Sequence, residues 1–180
     1  MNITLVRSAT LILETRAGRL LLDPMLDPAG ARPPIEGTAN PVRNPTVELP
    51  FPPAEVVRGL DAVLVTHCHK DHLDDTAERL LPRDVPVFCQ PEDGERLRAL
   101  GLEARPVDDA LDWNGLTLHR VPARHGTGSS TVGLRTGFAV SSIGGRAPAG
   151  SSIGSTSRRP AAVSRISVAL RTRVMFMLDF

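Results

Sequence analysis

Hydrophobic and polar positions alternate in the first 23 residues, with Ile3 and Leu5, then Leu11 and Leu13, falling on one face of an extended chain. The pattern predicts a pair of short strands over residues 2 to 23, turning through Arg16-Ala17-Gly18-Arg19. Leu20-Leu21-Leu22 then runs into Asp23-Pro24, so an apolar strand ends on a carboxylate where the chain must leave extended pairing. From Pro24 to Pro53 there are nine prolines together with Gly30, Gly37, Asn40 and Asn44, which predicts a long surface loop without regular structure. A short helix over Ala54 to Gly59 follows, entered through Pro52 and Pro53 and stopped by glycine.

Asp61-Ala62-Val63-Leu64-Val65-Thr66 is a continuous apolar run of strand length, as expected for a strand buried on both faces and possible in a parallel sheet. A helix near Asp74 to Leu81, a strand at Val85 to Cys89 and a helix near Glu92 to Leu100, stopped by Gly101, come next. Trp113-Asn114-Gly115-Leu116 carries the Asn-Gly signal of a tight hairpin, and alternation continues from Leu116 toward His125. Strands alternating with helices, then a hairpin, describe an α/β (α+β) chain.

Composition changes this picture in two places. The first 112 residues hold 19 of the 20 carboxylates, and no acid occurs between Asp112 and Asp179. Over residues 141 to 180, 25 of 40 positions are Ser, Gly, Ala, Pro or Arg, a bias that promises little core. The expected organisation is therefore a domain over residues 1–138 and a low-complexity, poorly ordered tail over 139–180. The net charge of +1 gives no global pull toward nucleic acid or anionic membrane. No apolar run reaches the length of a membrane span and no signal peptide opens the chain, so a cytoplasmic location, with Cys68 and Cys89 as reduced thiols, is the expectation.

All five histidines lie between residues 67 and 125, three of them in Thr66-His67-Cys68-His69-Lys70-Asp71-His72. In an extended segment residues i and i+2 point the same way, so His67 and His69 can offer imidazoles to one cation. Asp71 and His72 follow where the chain turns toward a helix, bringing a carboxylate and a further imidazole from another direction. Each residue alone would more commonly cap the helix or satisfy loop amides; four together point to a metal. Imidazole and carboxylate suit Zn²⁺, with Fe or Mn as the lesser alternatives. Alternation turns Cys68 and Lys70 away from the pair, the first into packing and the second into solvent. Asp74 and Asp75 begin the next helix, and Glu78 and Arg79 belong to its exposed face.

The H-x-H-x-D-H motif after an apolar strand, Leu-Leu-Leu-Asp23-Pro upstream and Ala-Arg-His125-Gly-Thr-Gly downstream resemble the metallo-β-lactamase fold hydrolases. The branch most similar contains ascorbate-phosphate lactonase-like and phospholipase D-like enzymes. The resemblance covers about residues 1 to 138 and implies an αββα sandwich of two sheets with helices outside. It implies two zinc ions, the first held by His67, His69 and His125, the second by Asp71 and His72, with Asp71 catalytic. Asp23 would orient the metal-binding loop without touching an ion. The implied activity is hydrolysis of a lactone, ester or phosphodiester of a small-molecule substrate by metal-bound hydroxide.

Family members continue with a Gly-Asp-Thr-like turn, whose aspartate bridges the metals, and a late histidine. Neither is present after Phe138, the last position that matches. The first sheet and its helices are thus expected, the second half of the sandwich incomplete, and apolar positions of the first sheet left without cover. A frame shift or other truncation accounts for the altered composition, which leaves an inactive fragment holding one ion as the alternative function. A redox di-iron protein is a third reading; His69 argues against it, because oxygen-reducing relatives carry a carboxylate at one histidine position.

Overall fold

In this computed structural model the described residues are 1–34, 39, 41–121 and the strand backbone of 122–124, 134–142, 165–167 and 174–176. Three strands, not two, occupy the N-terminal stretch: β1 (Asn2–Arg7), β2 (Thr10–Glu14) and β3 (Arg19–Leu22). The turn that local pattern did not mark is the one at Ser8 and Ala9, which separates β1 from β2; the Leu20–Leu22 run pairs antiparallel to β2, with Leu21 opposite Ile12. After the proline-rich segment come a single helical turn, α1 (Pro53–Val56), then β4 (Ala62–Val65), α2 (Asp75–Leu80), β5 (Pro86–Cys89), a 3-10 turn at Pro91–Asp93, α3 (Gly94–Ala99) and β6 (Glu103–Pro106). Of these β6 has no sequence signal. It is the last strand of its sheet, and of its four residues only Ala104 is buried, so no apolar run or alternation betrays it.

The first sheet has the order β10-β1-β2-β3-β4-β5-β6, parallel from β3 to β6 and antiparallel elsewhere. The second, antiparallel throughout, has the order β11-β9-β8-β7, made of β7 (Ala110–Trp113), β8 (Leu116–Arg124), β9 (Leu134–Ser142) and β11 (Val174–Phe176). The Asn114-Gly115 turn between β7 and β8 has φ of 50° and 82°, both in the left-handed region that this dipeptide tolerates. Short strands from beyond residue 138 border each sheet: β10 (Arg165–Ser167) beside β1, and β11 beside β9.

Alternation sorts the strand residues into two cores. Leu21, Val63, Val65 and Val87 face the helices, against Val56, Leu73, Ala77 and Leu97. Leu20, Leu22, Ala62, Leu64 and Phe88 face the second sheet, against Leu116 and Leu118. Strands β3 to β5 are buried on both faces, which is why they read as unbroken apolar runs. The expected loss of cover does not reach the centre of the first sheet: Leu13, Leu20, Leu64 and Phe88 are fully buried. At about 25 cal/mol per Å² of apolar surface removed from water, this layer is a principal source of stability.

The proline-rich segment is also not wholly a surface loop. Met25, Leu26 and Asp27 are buried because the guanidinium of Arg7, itself buried, donates to the carbonyl oxygens of Met25 (3.0 and 2.7 Å), Val47 (3.0 Å) and Asp27. Proline-rich chain makes few hydrogen bonds of its own, and a fork of five donors satisfies the carbonyls it leaves over. Among the described residues no helix is long and apolar enough to cross a membrane.

Candidate metal centre

Strands β3 and β4 run parallel side by side, so the turns that follow them, at Asp23 and at Thr66, emerge at the same sheet edge. Outside the carboxyl ends of parallel strands is where α/β folds place ligands. Asp23 takes a left-handed φ of 41°, costly for a residue with a side chain and tolerated best by Asn and Asp. It is held there on three sides. Its N–H donates to the Leu64 carbonyl at 2.9 Å, Thr10 Oγ1 donates to its carbonyl at 2.7 Å, and the same hydroxyl accepts from Met25 N–H at 3.0 Å.

The buried Asp23 carboxylate is thereby aimed at the second turn. It accepts from Thr66 N–H at 2.7 Å, from Thr66 Oγ1 at 2.9 Å and from His72 Nδ1 at 3.0 Å. An acceptor-only carboxylate puts the His72 proton on Nδ1 and leaves Nε2 with its lone pair, 3.9 Å from Asp71 Oδ2. Thr66 gives its single hydroxyl proton to Asp23, so its oxygen accepts from His67 Nδ1 at 3.1 Å, and Nε2 of that ring is the lone-pair nitrogen too. One carboxylate thus sets the tautomers of two histidines.

His67, His69 and Asp71 each offer one donor atom within 4.8 Å of the others, with His67 buried, His69 exposed and Asp71 between. The His67 ring lies 4.7 Å from that of His69 and 3.9 Å from that of His72. A zinc ion with donors at about 2.0–2.2 Å in a tetrahedral shell separates them by roughly 3.4 Å, so side-chain rotation closes the difference. Two imidazoles and a carboxylate, with the tautomer of His67 preset, fit such an ion. His125 lies outside the described residues.

The neighbours of these side chains differ from expectation in two respects, at Lys70 and Glu78, and match it in others. Cys68 is buried in the helix-side core, and burial, with Asp93 beside it, pushes its thiol up to about 12, so it stays a neutral packing group. Lys70 points away from the histidines but is not simply solvated: its Nζ meets Asp75 at 2.6 Å and Glu78 at 2.7 Å. Glu78 is a correction to the sequence reading. It is only 15% exposed and also binds Arg96 at 3.1 Å, because the turn of chain carrying Lys70 folds over that face of α2. Asp74 caps α2, its side chain accepting from Ala77 N–H at 2.8 Å. Burial raises the Asp74 carboxyl against the pull of the Ala77 and Asp27 amides.

Several residues around this centre carry no local signal. Arg7 and Thr10, then Asp93 and Arg96, come from two stretches far from the motif and are ordinary residues for a strand or helix; only Thr66, adjoining the motif, was within reach of a local reading.

Known proteins similar to this chain point the same way. A family model for the beta-lactamase superfamily domain matches residues 18–150. The UPF0173 protein YddR of Bacillus subtilis is 35% identical over 138 residues, covering 74% of this chain and 54% of that protein. A solved protein from Veillonella parvula, described as a possible metal-dependent hydrolase, superposes with a TM-score of 0.72 at 33% identity, over 79% of this chain and 58% of that one. An isothiocyanate hydrolase from Delia radicum gut bacteria gives 0.71 at 32% identity, over 79% and 59%. The chain spans about half the length of the curated relatives it matches. With the strand-end His-x-His-x-Asp-His turn, the two facing sheets and the family match in agreement, the chain belongs to the β-lactamase superfamily.

Proposed function

We propose that this chain carries the metal-binding part of a metal-dependent hydrolase acting on a small molecule with an electrophilic carbon or phosphorus centre. The observation that carries the reading is the convergence of His67, His69 and Asp71 beyond the end of β4, with Thr66 and Asp23 orienting the rings of His67 and His72. Zinc is the ion that the donor set favours, and two ions are the full complement: His67, His69 and His125 for the first, Asp71 and His72 for the second. A divalent cation here supplies Lewis acidity and lowers the pKa of a water molecule.

The chain's own residues do the rest. Asp23 accepts a hydrogen bond from His72 Nδ1 and fixes the face that ring presents. Asp71, a quarter exposed, stands on the open side and accepts a hydrogen bond from the attacking water, orienting its lone pair toward substrate. A lactone, ester or phosphodiester meets this chemistry. So does an isothiocyanate, whose central carbon is attacked by water in the same sense, and the 32% identity to an isothiocyanate hydrolase supports including it. Buried, unpaired Cys68 and Cys89 suit a reducing cytoplasm.

The alternative is a metal-holding fragment without turnover, binding one ion. The single His67, His69 and Asp71 group among the described residues favours it. Zinc stoichiometry, with hydrolysis of p-nitrophenyl acetate, a γ-lactone, bis-p-nitrophenyl phosphate and allyl isothiocyanate before and after chelation, separates the two. Near two equivalents with chelator-sensitive turnover supports the enzyme; near one with none supports the fragment; no zinc bound sinks both.

A further inference from the structure

Beyond strand β4, which ends at Val65, the backbone of Cys68 has no strand ladder to bond with. Both of its peptide groups are nevertheless gripped by charged side chains from one short stretch of chain. Its N–H donates to Asp93 Oδ2 at 3.1 Å, and its carbonyl accepts from Arg96 Nη1 at 2.9 Å. Asp93 ends the 3-10 turn and Arg96 lies in α3, three residues on, so about one helical turn presents an acid to the donor and a base to the acceptor of the same residue. Gln90 Nε2 donates to the same Asp93 oxygen at 2.7 Å and holds it in place. Arg96 is braced in turn by Glu78 at 3.1 Å, the carboxylate that also takes Lys70 at 2.7 Å.

Cys68 is the link between His67 and His69. The relative direction of the two imidazoles depends on the torsions at this residue, and swinging either peptide plane moves one ring with respect to the other. Bonds with one ionised partner are roughly twice as strong as neutral ones, which suits a grip that must hold a short turn still.

We infer that Asp93 and Arg96 are positioning residues for the metal centre: they clamp the Cys68 peptides and hold His67 and His69 at the spacing one cation requires. The inference rests on the proposed metal site. A merely structural pair would stabilise the α3 side of the sheet and leave metal affinity alone. The clamp therefore predicts an effect on the ion that stability does not explain.

The test measures zinc affinity by competition with a chromophoric chelator, urea unfolding of the zinc-free protein, and the visible absorption of the cobalt-substituted form. Arg96→Met is expected to weaken zinc binding by roughly tenfold, within the range seen when groups supporting metal ligands are removed, and to alter the cobalt bands. Arg96→Lys, which keeps a donor, should recover most of that loss. Asp93→Asn keeps the size and an acceptor oxygen but not the charge; it should lower affinity by a smaller factor and decides the matter if Arg96→Met does not fold. Zinc affinity and cobalt bands unchanged in variants that unfold earlier would overturn the clamp while leaving the metal site standing. Parent protein that binds zinc no better than His67→Ala would overturn the metal site, and the clamp with it.

Discussion

Two turns leave the same edge of the first sheet and are built on opposite plans. The one after β4 is short: within seven residues, Thr66 to His72, it holds three histidines and an aspartate, and local alternation suffices to gather them. The one after β3 opens a segment of some thirty residues and gives the site a single carboxylate, Asp23, in a left-handed conformation that its neighbours must enforce. The short turn supplies donors; the long one supplies constraint. Chemistry can be concentrated by spacing along the chain, whereas the orientation of that chemistry is borrowed from residues 40 or more positions away.

The sharpest way to break this contrast is to remove a donor from the short turn. His67→Ala should weaken zinc binding by more than about a hundredfold, since it removes the buried member of the His67, His69 and Asp71 group. Competition with a chelator reads it, and unaltered affinity would mean that this turn is not where the ion sits. Loss of turnover should accompany loss of metal.

Next in size is the anchor of the long segment. Arg7→Met leaves the Met25, Asp27 and Val47 carbonyls without their donor in a buried setting, a loss of about 2–4 kcal/mol in urea unfolding of the zinc-free protein. A change under about 1 kcal/mol would show that the segment is held by its apolar contacts instead.

Asp23→Asn probes the constraint itself. Asparagine tolerates the same φ, so the substitution removes charge with little strain. Zinc affinity should fall by about 10–100-fold while unfolding of the zinc-free form changes little. Equal affinity would mean that Thr66 and His72 hold their places without the carboxylate.

The smallest effect concerns the ion pairs linking the two turns. Hydrogen bonds from Lys70, then Arg32, hold the Asp75 carboxyl down at about 2, against an ordinary 3.8. Burial pushes Asp27 up, yet hydrogen bonds from Thr76 and Arg32 outweigh it and leave Asp27 lowered as well. A carboxylate lowered in the folded state stabilises it above the unfolded value, and that gain disappears as pH falls. Asp75→Asn should therefore be less stable than the parent at neutral pH, by less than about 1 kcal/mol because the pair is exposed and screened. The difference should shrink as pH falls from 3.8 through about 2; a gap undiminished below pH 2 would assign it to something other than this ionisation.

Legibility followed the same division. The apolar runs of β3, β4 and β5 stood out because each strand is buried on both faces, and Asn114-Gly115 marked its hairpin because few dipeptides accept two positive φ values in succession. By contrast β6, at a sheet edge with one buried residue, had no pattern to read. The family resemblance, drawn from the motif and its two flanking segments, agrees with the superfamily match over residues 18–150.

What the sequence determined by itself was the gathering of candidate donors: periodicity of two in an extended segment puts His67 and His69 on one side, and a following turn brings Asp71 and His72 near. Only the tertiary structure decided which nitrogen of His67 and of His72 carries the proton and how still the turn is held. Those depend on Asp23, Thr10, Asp93 and Arg96, which meet the motif through hydrogen bonds closed across sheet and helix. Their separation along the chain leaves no local trace, since a hydrogen-bond partner is specified by position in space and not by spacing in sequence.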